Sequence, residues 1–133
     1  MSVTVGDKLP ELVKPAIERL QLVKYAGASG DWNRIHFDEP FAVEAGYRSV
    51  FAHGMLSMAF LGQLVADWVG PTRVRRINCR FKAITWPGDV VTCRGEVTAV
   101  RDENGERLAD VKLWAQTQAG AVTVEGTATV ALP

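Results

Sequence analysis

The sequence predicts an α+β fold in which an antiparallel sheet packs on one long apolar helix, and three observations carry that expectation. The front half of the chain has helical spacing, whereas the back half alternates apolar and polar residues strictly. Helices first and strands afterwards is the order of α+β folds rather than of βαβ repeats. Between the halves, Ser49 to Ala66 contains no Asp, Glu, Lys or Arg, and a helix apolar on nearly all sides has to be enclosed. With 133 residues there is room for a single domain, 1–133, with one core.

The elements follow in order. After an extended N-terminal piece, Ile17 to Ser29 places Leu20, Val23, Tyr25 and Ala26 between Glu18, Arg19, Gln21 and Lys24, the pattern of a short amphipathic helix; Gly27 and Gly30 weaken it and mark its end. Gly30 to Asp38 reads as a loop and Glu39 to Ala45 as a brief helix stopped by Gly46. The long apolar helix runs from about Gly54 to Val69, where Gly70-Pro71 ends it because proline cannot continue the hydrogen-bond ladder. Beyond Pro71 the period becomes two. Ile77, Cys79, Phe81 and Ala83 form an apolar face against Arg76, Asn78, Arg80 and Lys82, and Val91, Cys93, Val97 and Ala99 do the same against Thr92, Arg94, Glu96 and Thr98. Asn104-Gly105 signals a hairpin turn into a strand with Ala109, Val111, Leu113 and Ala115 inward. A last strand, from about Val122 to Val130, turns Val122, Val124, Ala128 and Val130 the same way.

Composition removes several function classes. Fifteen basic residues offset fifteen acidic ones, so no global field holds a polyanion, and neither a nucleic acid nor a membrane surface is an expected partner. Ser49, His53, Gly54, Ser57, Gly62 and Gln63 make the uncharged stretch a poor lipid-facing helix. Cys79 and Cys93 are too few for a disulfide scaffold and form no CxxC pair, which fits a reducing compartment. Met1 to Lys8 holds no apolar run of the signal-peptide kind. The cytoplasm is therefore the expected location.

The chemistry concentrates in Ser29-Gly30-Asp31-Trp32-Asn33-Arg34-Ile35-His36. Asp31 and His36, five apart, do not share a helical face, but a loop can turn both toward one point. A carboxylate and an imidazole sharing a water can take a proton and deliver one. The same residues would equally serve as a turn cap and a structural histidine. His53 raises a metal site with His36, Asp31 or Asp38, but the two histidines are far apart in sequence with no ligand spacing, and no metal is expected. The inward Cys79 and Cys93 read as small hydrophobes.

The run Tyr25-Ala26-Gly27-Ala28-Ser29-Gly30-Asp31-Trp32-Asn33-Arg34-Ile35-His36-Phe37-Asp38 resembles the hydratase-2 motif of MaoC-like proteins, the (R)-specific enoyl-CoA hydratases and 3-hydroxyacyl-thioester dehydratases. Phe51-Ala52-His53-Gly54-Met55-Leu56 is similar to the His-Gly-Met segment that begins the central helix in that family. With the strands, the resemblance covers nearly the whole chain and extends to the catalytic subunit of heterodimeric type II fatty-acid synthase dehydratases.

What the resemblance implies is a hotdog fold, a sheet wrapped around the central helix, and a lyase needing no cofactor. Asp31 and His36 would hold the water that adds to C3 of a trans-2-enoyl thioester, with Asn33 supporting the loop. The backbone N–H of Gly54, at a helix N-terminus, would meet the developing oxyanion. A tight packing contact is the other use of that glycine. Arg34 stands where the family usually has proline, which implies a less rigidly preset loop and an added positive charge. Gly62 stands where some hydratases carry serine, implying a lost polar contact and more room for the acyl chain. The substrate would be an acyl-CoA or an acyl carrier protein thioester, and the assembly a homodimer or a heterodimer with a second hotdog chain. A thioesterase and a non-catalytic acyl-binding subunit are the other functions the fold would allow. Arg76, Arg80 and Lys82, within a basic run from Arg73, read either as a solvated sheet face or as a docking surface for the carrier.

Overall fold

The computed structural model describes all 133 residues. Its elements are β1 (Leu12–Val13), α1 (Arg19–Ser29), α2 (Glu39–Glu44), α3 (Gly54–Val69), β2 (Val74–Phe81), β3 (Val91–Glu103), β4 (Glu106–Thr117) and β5 (Val122–Ala131), with 3₁₀ turns at Arg34–His36 and Pro71–Arg73. The strands form one antiparallel sheet in the order β1-β3-β4-β5-β2. Against its inner face lies α3, so the sheet-around-helix arrangement is the one expected of a hotdog fold.

The apolar stretch is only partly enclosed: Met55, Ala59, Gln63 and Asp67 of α3 lie exposed along one line, against the expectation of a helix surrounded on nearly all sides. The reason is that one sheet and the short segments before the helix do not reach all round it. Leu56, Ser57, Phe60, Leu61, Leu64, Val65 and Val69 of α3 are buried against Val91, Cys93, Val97, Ala109, Val111, Leu113, Ala115, Val124, Ala128 and Val130 of the sheet. Each large apolar side chain buried there contributes about 1.5–3 kcal/mol. No helix is long and apolar enough to cross a membrane. The Asn104-Gly105 turn joins β3 to β4, pairing Glu103 with Glu106 at the hairpin end.

Four local expectations are corrected. The first helix begins at Arg19, not Ile17, and passes through Gly27 to end only at Gly30. Its buried residues are Leu22 and Ala26, whereas Leu20 and Val23 face outward, because the helix touches the core along a narrow line. A β-bulge between Val97 and Ala99 shifts the register of β3, so Val100 rather than Ala99 continues the packing against the core. Phe81 lies 52% exposed at the end of β2, which stops before Ala83. Here the chain leaves the sheet, and the ring lies instead against the start of α3.

β5 and β2 approach closely at Gly126, where a Cβ would fall 2.0 Å from the Asn78 carbonyl oxygen and 2.8 Å from Cys79 Cα. No side chain fits there without parting the strands. Gly126→Ala is therefore expected to cost roughly 3 kcal/mol or more of stability, measured as a lower denaturation midpoint with loss of the β2–β5 pairing.

Candidate active site

The loop after α1 is built by short side chains bonding their own backbone. Gly30 closes α1 in a left-handed conformation (φ 76°), which an L side chain adopts poorly, and donates to the Ala26 carbonyl. Ser29 Oγ accepts the Asp31 N–H at 3.2 Å, and Asp31 Oδ1 accepts the Asn33 N–H at 3.2 Å. Asn33 Oδ1 in turn accepts from Ile35 at 3.2 Å and caps the 3₁₀ turn that carries His36. Asp38 caps α2 through the Phe41 N–H at 3.3 Å. Arg34 does not leave the loop loose: its guanidinium forks onto Asp38 Oδ2 at 3.0 and 2.7 Å and lies over the Phe41 ring. That clamp offsets the absent proline, turns the added charge toward Asp38, and holds the Asp38 carboxyl below its usual range.

These turns bring Asp31 and His36 together. The His36 Nε2 to Asp31 Oδ2 distance is 3.9 Å, too long for a direct hydrogen bond and suited to a third oxygen seated against both. The two groups differ in surroundings: His36 is 6% exposed, whereas the Asp31 carboxylate is 52% exposed. His36 Nδ1 lies 2.7 Å from the Phe51 carbonyl oxygen. A carbonyl can only accept, so Nδ1 carries the hydrogen and the Nε2 lone pair faces Asp31. Burial pushes the His36 imidazole below its usual value. The Phe51 carbonyl opposes this, His53 adds to it, and Asp31 opposes it more weakly.

His53, the residue before α3, lies beneath the pair. Its ring stacks on His36 with centroids 3.8 Å apart and planes 24° off parallel, and its Nε2 lies 3.1 Å from the Asp31 carbonyl oxygen. The reading of the sequence missed this contact. The one signal was a histidine at a helix start, and nothing local says that a loop residue 17 positions earlier lies on it. Asp31, His36 and His53 place ligand atoms within 4.8 Å of one another. Yet nearly parallel rings aim their in-plane lone pairs side by side rather than at one point, and one nitrogen of each ring is taken by a carbonyl. The donor set fits a metal badly.

Gly54 is the first residue of α3, where a backbone N–H has no acceptor within the helix. A Cβ there would meet the Phe81 ring at 3.2 Å, so the glycine makes the packing contact and presents its N–H at once. Phe51, Ala52, Gly54, Phe81, Lys82, Ala83 and Ile84 line an open groove of about 290 Å³. Arg76 and Arg80 are exposed on β2. Lys82 lies just past that strand, 3.5 Å from Glu125, on the rim of the groove. Gly62 is half-buried on α3, a Cβ there would touch nothing within 4 Å, and the residue does not line the groove beside Gly54.

Comparison with known proteins points the same way. Residues 3–121 match the family described as MaoC like domain. The chain is 34% identical over 99 residues to the 3-oxo-4,17-pregnadiene-20-carboxyl-CoA hydratase beta subunit of Mycobacterium tuberculosis, covering 74% of this chain and 76% of that protein. It is 32% identical over 115 residues to the (R)-specific enoyl-CoA hydratase of Aeromonas caviae, covering 85% and 84%. The solved (R)-hydratase from A. caviae involved in PHA biosynthesis superposes with a TM-score of 0.88 at 31% identity, covering 99% of this chain and 98% of that one.

The direction of the His36 shift is directly measurable. Titration of its ring by NMR should give a midpoint below 6.5, the value of an unperturbed histidine. A midpoint at or above that value would contradict the burial argument.

Proposed function

The chain belongs to the MaoC-like domain family, and from that premise we propose that it hydrates trans-2-enoyl thioesters to (R)-3-hydroxyacyl thioesters, or dehydrates them in the reverse direction, in fatty-acid metabolism. The observation that carries this reading is the pairing of Asp31 Oδ2 with His36 Nε2 across 3.9 Å on a loop with no other use for either side chain's outer edge. A water held by both loses a proton to Nε2 as its oxygen bonds to C3. The electron pair of the C2–C3 double bond moves toward the thioester carbonyl, and the Asp31–His36 pair returns one proton to C2. Atoms and charge balance without a redox cofactor. A lone pair on buried His36 keeps its accepting form to lower pH than a free imidazole would, which suits a base at neutral pH.

The negative charge that builds on the thioester oxygen is met by the Gly54 N–H, with the α3 dipole behind it. Asn33 acts through the loop, since its side-chain oxygen is occupied by the Ile35 N–H. The groove beside Gly54 would take the thioester, and Lys82 on its rim, with Arg76 and Arg80 further along β2, would face the phosphates of coenzyme A or the acidic surface of acyl carrier protein. We assign the protein to the cytoplasm on the two free cysteines.

For the assembly we propose a dimer. β2 ends the sheet order with one side unpaired, and Phe81 and Met55 expose apolar surface, which a second chain would cover. A homodimer is the simpler form. The similarity to a protein named as a beta subunit supports a heterodimer as the other form.

Crotonyl-CoA tests the function. Its enoyl absorbance should fall without thiol release; thiol release would make the protein a thioesterase, and silence with retained ligand binding an accessory subunit. Asp31→Asn and His36→Ala should each lower turnover by about two orders of magnitude or more on folded protein, and near-normal turnover in either would defeat the mechanism. Replacing Arg76 and Arg80 together with Ala should raise KM for the carrier-bound substrate and flatten its salt dependence while kcat holds. An unchanged KM at low salt would leave these residues a solvation role only.

A further inference from the structure

Asp31 and His36 have to hold one geometry although one is exposed and the other buried, and the loop between them is surface-lying. Resting on the reaction proposed above, we propose that His53 is a positioning residue for the pair, its ring the platform on which the His36 imidazole lies and its Nε2–H the donor that fixes the backbone of Asp31. One side chain then sets the positions of both reacting groups.

Four observations carry this. The His36 and His53 rings are stacked at 3.8 Å, so His36 cannot tilt about its Nδ1 bond to Phe51 without leaving His53. The 3.1 Å bond from His53 Nε2 to the Asp31 carbonyl is the tie to Asp31 that comes from the core; its other hydrogen bonds, with Ser29 and Asn33, lie within the exposed loop. His53 itself is immobilised, 2% exposed, with the Tyr25 ring edge-on to it at 4.8 Å. Finally, His53 Nδ1 is the one buried side-chain polar atom in the protein without a hydrogen-bond partner.

The last point separates positioning from packing. A buried nitrogen without a partner costs about 1–3 kcal/mol, and an apolar ring would fill the same space without that cost. The side chain makes no capping bond to the first turn of α3, so helix stability does not call for a histidine. What an apolar ring could not do is donate to Asp31. The histidine is therefore explained by the site rather than by the core.

The test compares His53→Phe, which keeps a stacking ring and removes the donor, with His53→Gln, whose amide nitrogen reaches about as far as Nε2, and runs His36→Ala alongside on crotonyl-CoA. In His53→Phe, kcat should fall about tenfold to a hundredfold, the scale of a small misplacement of reacting groups. Its KM should stay within about twofold and its Tm should not drop, since the unpartnered nitrogen is gone. His53→Gln should recover a measurable part of the lost kcat. A kcat in His53→Phe within about twofold of the parent, equal losses in the two variants, or a His53→Phe protein that does not fold would each overturn the proposal, the last by making the residue structural. Normal turnover in His36→Ala would instead overturn the reaction on which the proposal rests, whatever the His53 variants do.

Discussion

Everything in this protein depends on covering the apolar face of α3. The helix from Gly54 to Val69 buries Leu56, Ser57, Phe60, Leu61, Leu64, Val65 and Val69 and leaves the line Met55, Ala59, Gln63 and Asp67 exposed. The sheet covers part of the buried face, and the chain before the helix covers more of it. Leu22, Ala26, Ala42 and Val50 are buried from that side. Because the covering segment runs past the helix start, the loop that carries Asp31 and His36 comes to rest against His53. The site is thus a by-product of how the core is closed: the N-terminal end of the buried helix is where the loop, the groove and the last residue of β2 meet.

Electrostatic asymmetry follows from that placement. His36 points inward from its 3₁₀ turn and loses water, which disfavours its protonated form, while Asp31, on the outer turn, keeps its solvent contact. The two ring nitrogens of His36 are distinguished by the Phe51 carbonyl, which takes one and leaves the other for chemistry. Arg34, unusual for the family motif, is neutralised locally by Asp38 and stiffens the loop rather than polarising the site.

Much of the fold is legible in the residues. The span of α3 follows from its apolar run and from Gly70-Pro71, the β3–β4 hairpin from Asn104-Gly105, and the inward set of β4 from plain alternation. Each rests on residues within a few positions of one another, and each is found where expected. The loop chemistry is legible for the same reason: Asp31, Asn33 and Asp38 bond backbone groups two or three residues on. Failures occur where a neighbour distant in sequence decides. Leu20 and Val23 have the spacing of a buried face, yet Leu22 is the residue that meets the core.

The sequence by itself determined the elements, the turns between them, and a loop able to turn a carboxylate and an imidazole toward one point, because periodicity and turn chemistry are short-range properties of the chain. Only the tertiary structure decided that His53 stacks on His36, that the Phe81 ring, at the last paired position of β2, lies on Gly54, and that β3 bulges at Val97. Those outcomes depend on how the sheet curves around α3 and which surface its first residue meets. They join residues from separate elements, and the physical reason is packing: no local pattern states which of several compatible apolar or aromatic faces will be closest once the core has closed.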